Sequence, residues 1–162
     1  TSFIPARRKP GVTEKMFNIK DLGPDGLNYW MPTPWDRMIR VDLLREHNIR
    51  FQNLPDLDDL YFGHTTSICA KNIVYSKNEK PLVIYRVNNP KQMTYHVDSR
   101  SMIKAIRKLL ELDVVNNDRE FKEMVINMMN SNLDGMMSRC PNEEYNKECL
   151  EEAREIRNSF NS

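Results

Sequence analysis

The sequence predicts an α/β chain that is rich in helix, carries a few short strands and closes in a C-terminal bundle of about three helices. Three observations point there. Beyond residue 96, apolar residues recur at helical spacing in three successive segments; β-branched runs are confined to two short stretches near the middle; and the first 34 residues, rich in proline and glycine, hold no period for long. With 162 residues, 40% hydrophobic and 29% charged, the chain has the size and composition of one globular domain.

The opening segment reads as irregular, with at most a strand or short helix near Met16 to Leu22. "DLLREHN" predicts two turns of helix, with Asp42 as N-cap and Asn48 as its end. A second helix follows the acidic cluster, with Leu60, Phe62, Thr65, Ile68 and Cys69 at helical spacing and Asp58 or Asp59 at its start. "NIVYS" and "PLVIYRV", separated by the polar "KNEK", predict two strands. Three helices complete the chain. Their inward faces are Met102, Ile103, Ile106, Leu109 and Leu110; then Phe121, Met124, Val125, Met128 and Met129; then Tyr145, Cys149, Ala153, Ile156 and Phe160. Ser99, Asp118 and Asn142 are the expected caps. The methionine stripe admits a promiscuous binding groove, but its spacing favours a helix–helix core.

Charge and cysteines narrow the function classes. The net charge of +1 comes from 24 Lys+Arg against 23 Asp+Glu, which gives no reason to expect a nucleic-acid partner or an anionic membrane. No transmembrane run and no signal-peptide core are present, so a cytoplasmic location is expected. Cys69, Cys140 and Cys149 are widely spaced, with no CxxC, and read as reduced thiols with no zinc site. A chain that begins with Thr1 is expected to be processed or cut from something longer.

The stretch "PTPWDRMIRVDLLREHNIRFQNLPDLDDLYF", residues 32 to 62, carries the candidate chemistry. Its acidic cluster has three readings. "DLD" matches the short DxD pattern that holds a divalent metal through oxygen ligands, but follows a loop rather than a strand. Asp59 could serve as a general base, its proton affinity raised by Asp58. Or the aspartates simply cap a helix and Asp56 is solvated, the reading that residue chemistry alone favours. Trp35 is a sugar-stacking ring or, preferred on residues alone, a core residue. Arg37 and Arg40 are phosphate clamps or solvated charges. His47, His64 and His96 are scattered, and packed or surface roles are preferred for them. Neither a nucleophilic triad nor a Gly-rich phosphate loop can be assembled from spacing.

This stretch, with the following "AKNIVYSKNEKPLVIYRVNNPKQMT", resembles the C-terminal half of a bacterial family 2 glycosyltransferase domain over about 65 residues. That family shows a Pro-Trp-Asn-Lys segment, an Asn-x-Arg-Phe, an acidic residue before Leu/Val-x-Phe, and a strand like "PLVIYRVNN". Here Asp36 stands where Asn is common and Arg37 where Lys is common, and the usual Glu-Asp pair appears as Asp58-Asp59.

The resemblance implies an incomplete GT-A type, Rossmann-like domain over residues 1–95 and a helical extension over 96–162. It implies Asp59 as catalytic base, Trp35, Arg37 and Asp58 on the substrate side, and Arg86 and Asn88 closing the site. The donor-binding strands, and the DxD that holds magnesium or manganese, would lie in a half not present here; no metal is expected in this chain. The parent enzyme would transfer a sugar from a nucleotide-sugar donor to a carbohydrate or lipid-linked acceptor, for surface polysaccharide or glycoconjugate synthesis at the inner face of the membrane. The half alone is expected to be inactive and, with unpartnered edges, to self-associate. The alternative is a non-enzymatic helical interaction module whose contact surface is the Met-rich helix at 120 to 137.

Overall fold

The structure is a computed structural model, and it describes residues 16–30, 32–74, 91–93 and 97–161. Two short strands, β1 (Met16–Phe17) and β2 (Ile73–Val74), pair antiparallel with Met16 opposite Val74 and Phe17 opposite Ile73. The helices are α1 (Gly26–Tyr29), α2 (Val41–Glu46), α3 (Asp58–Cys69), α4 (Ser99–Leu110), α5 (Asp113–Asn116), α6 (Arg119–Met137) and α7 (Glu143–Asn161). Single 3-10 turns occupy Ile19–Leu22 and Pro34–Asp36. The chain is thus helix-rich with short strands, as its apolar periods predict. The second expected strand, 81–87, lies outside the described residues.

α4 is the axis of the fold. Met102, Ile103, Ala105, Ile106 and Leu109 recur at three- and four-residue steps, which puts them on one face, and all are buried. That face meets α3, α6 and α7, and α6 also packs on α7, so the expected three-helix bundle forms. Two arginines of α4 hold α7 from outside the core. Arg107 pairs with Glu152 at 2.6 Å and Glu155 at 2.9 Å, and Arg100 sits 3.1 Å from the centre of the Tyr145 ring. Met124, Met128 and Met129 of α6 are buried in the helix–helix core, while Met136 and Met137 are partly buried against it. One apolar core joins Ile19, Leu22, Leu27, Leu60 and Ile68 to the later helices.

The helix starts correct the sequence in detail. Asp118 caps α6 and Asn142 caps α7, each accepting two backbone N–H groups, as expected. α4 is capped by Asp98, one residue before the expected Ser99, through the Arg100 N–H at 3.0 Å. Asp42 is inside the first turn of α2, whose N-cap is Arg40; Asn48, at φ 47°, does end that helix in the left-handed conformation Asn tolerates. The irregular N-terminal segment is pinned by Lys20, whose ammonium reaches Asp118 at 2.5 Å and Glu120 at 3.1 Å and lies over the Phe121 ring.

Candidate functional site

The chain approaches α3 through Asp56 and Leu57. Asp56 is 5% exposed and is not the solvated loop residue expected; its Oδ2 accepts the Asp98 backbone N–H at 2.6 Å, which ties the start of α3 to the start of α4. Its Oδ1 is buried without a hydrogen-bond partner among the described residues. Leu57 is the N-cap of α3 at φ 52°, a conformation that costs a leucine roughly 1–2 kcal/mol. Packing of its side chain against the core holds it there. Neither Asp58 nor Asp59 is therefore the cap. Both lie in the first turn, where the positive end of the helix favours a carboxylate.

Asp59 is half-buried, and its proton affinity is raised above the ordinary carboxylate range. Loss of hydration is the main cause and the adjacent Asp58 charge the second, while its own backbone N–H and Arg37 act against them. The arrangement can accept a proton. A carboxylate held on a helix turn, dehydrated and beside a like charge, takes a proton more readily than a free one.

Arg37 is the clip that joins the Trp35 turn to α3. Its side chain is 10% exposed, with Nε 3.0 Å from Asp36 Oδ1 and NH1 3.3 Å from both the Gly63 carbonyl and Ser67 Oγ. The guanidinium also lies 5.8 Å from the Trp30 ring, which itself meets Phe17 edge-on. From there it acts electrostatically on Asp59 and on His64. Gly63 permits this approach: a Cβ there would overlap the Pro32 carbonyl, so only glycine lets the "PTP" segment lie on α3.

Trp35 is 51% exposed, which overturns the core reading preferred on residues alone, and its turn rests against α3. Arg40 is solvated and pairs with Asp42 at 3.0 Å. His64 is packed in the interior, and burial first, then Arg37, lowers its pKa to about 3, so it stays neutral. Arg86, Asn88 and His96 lie outside the described residues. The structure thus places Asp58 and Asp59 in the first turn of α3 and the Arg37 clip farther along it, at Gly63 and Ser67 but within electrostatic reach of Asp59, with the Trp35 turn against the same helix.

Among the described residues no group of three acidic, histidine or cysteine side chains could hold a metal ion, and Asp56 already accepts from the backbone of Asp98. No described helix is long and apolar enough to cross a membrane. Sequence reasoning missed the structural part of Asp56, the left-handed Leu57 and the close approach at Gly63. It also passed over a hollow beside α2, although "HNIRFQN" interleaves cation, ring and amides. Compared with known proteins, the chain matches no family model, no curated protein and no solved structure.

Proposed function

We propose that this chain is the acceptor-side part of an inverting family 2 glycosyltransferase, with Asp59 as the general base. The raised proton affinity of Asp59 at the head of α3 carries the reading. In the proposed step the Asp59 carboxylate takes the proton of an acceptor hydroxyl as its oxygen bonds to the anomeric carbon of a nucleotide-activated sugar. The anomeric bond to the diphosphate breaks on the opposite face, and the electron pair leaves with the nucleotide. Trp35, half exposed on its turn, is offered as the ring that meets the acceptor, and Asp58 as the charge that keeps Asp59 basic. Arg37 positions rather than binds, since its donors face Asp36, Gly63 and Ser67. The divalent metal that the resemblance implies finds no ligand set among the described residues, and no step here uses one.

The test is Asp59→Asn in the complete enzyme that carries a donor-binding half. Transfer should fall by about 100-fold or more, the usual range for losing a general base, with donor affinity unchanged. Undiminished turnover removes Asp59 from the mechanism. In the present chain the same change has a second readout. Because the folded state raises the Asp59 pKa, ionised Asp59 opposes folding, and this opposition grows as pH rises from the unfolded value of 3.8 through the folded one. Asp59→Asn should therefore raise the denaturation midpoint at neutral pH, and the gain should vanish in acid.

A further inference from the structure

We propose that the hollow between the α2–α3 loop and α4 binds a small sugar bearing a phosphate or a carboxylate. The hollow has a volume of about 470 Å3 and opens between residues 47–54 and Lys108, within the size range of sites that take a small ligand. Its charge is one-sided. Arg50 and Lys108 line it, and among the described residues no Asp or Glu does. Among the described residues the one carboxylate paired with Lys108 is Glu111 at 3.5 Å, an exposed pair that holds the ammonium weakly. Arg50 has no hydrogen bond or ion pair to any other residue among those described, so its planar fork is available to an oxyanion.

The remaining lining matches a sugar ring rather than a bare anion. Phe51 is 49% exposed and stacks on buried Phe62, with centroids 4.1 Å apart and the rings 7° from parallel. One face is thereby fixed on α3 and the ring is held as a flat platform, the shape that meets the CH face of a pyranose. Asn48 and Asn53 bring amides that carry both donor and acceptor atoms, the combination hydroxyl groups require, and neither side chain has a partner among the described residues. Inorganic phosphate could use Arg50, Lys108 and the amide N–H donors, but it would leave the Phe51 platform and the amide oxygens idle.

The loop is already shaped for this. Ile49 is buried and its N–H bonds the Leu44 carbonyl at 2.9 Å, while the Gln52 N–H reaches the Asp58 carbonyl. The hollow therefore borders the first turn of α3, but its ligand does not depend on the transfer reaction proposed above.

The experiment titrates the whole chain, followed by its own NMR signals, with glucose 6-phosphate, glucuronate, glucose and inorganic phosphate. At least one acidic sugar should bind and shift residues 47–54, with glucose and phosphate each about tenfold weaker or more. The stronger of the two acidic sugars identifies the headgroup. Arg50→Gln and Lys108→Gln should each weaken that sugar about tenfold, since a charge-assisted bond is lost, and Phe51→Ala should erase its advantage over phosphate. The proposal is overturned if neither acidic sugar binds, if glucose or phosphate binds as tightly, or if Arg50→Gln changes nothing. Asp59→Asn should leave this binding intact, so failure of the hollow and failure of the catalytic reading show separately.

Discussion

Burial acts on two groups of α3 in opposite directions, raising the proton affinity of Asp59 and lowering that of His64, and in both cases it favours the neutral form. For His64 the consequence is acid sensitivity. Its pKa is 6.5 when unfolded and about 3 when folded, so the unfolded chain binds the extra proton between those values. Stability is full above 6.5 and should fall as pH drops toward 3; His64→Gln should flatten that slope in denaturant melts taken across the window. An unchanged slope would place the proton uptake elsewhere. Little of this was legible beforehand. A histidine between Gly63 and Thr65 carries no mark of burial, because its burial is decided by the tertiary fold and the charge acting on it, Arg37, is 27 residues away in the chain. Trp35 misled in the other direction, since a 3-10 turn beginning at Pro34 aims the ring outward.

At the scale of the element, α3 depends on how closely another segment can lie against it. Gly63→Ala would push a methyl group into the Pro32 backbone, which cannot yield as a flexible side chain could. A loss of about 1–3 kcal/mol is expected from overpacking, read as a lower midpoint in chemical denaturation, with the Trp30 environment also disturbed. A neutral substitution would mean that the segment does not rest there. Caps show where local sequence suffices and where it fails. Asp118 and Asn142 are legible because a short polar side chain precedes a strong apolar period. Leu57 is not, because no propensity announces a leucine in the left-handed region; only its contacts with the distant core hold it there.

For the whole molecule, the later helices were readable from period alone, since α4, α6 and α7 each bury one continuous stripe. The placement of residues 16–30 was not, because a short ribbon and single turns leave no period, and their position is decided by partners about 100 residues away. That distance bears on how the molecule assembles. Lys20 grips the head of α6, so the N-terminal segment must wait, during synthesis, until α6 has been made before it can dock. Closing so long a loop is expected to come late, and the Lys20 contact should then be absent from the folding transition state. Lys20→Met should then quicken unfolding in stopped-flow measurements and leave refolding nearly unchanged. Equal effects on both rates would mean that the chain's beginning helps to nucleate its end. A latch set last should also open first, so residues 16–30 are the expected starting point of unfolding even though Ile19, Leu22 and Leu27 lie in the shared core.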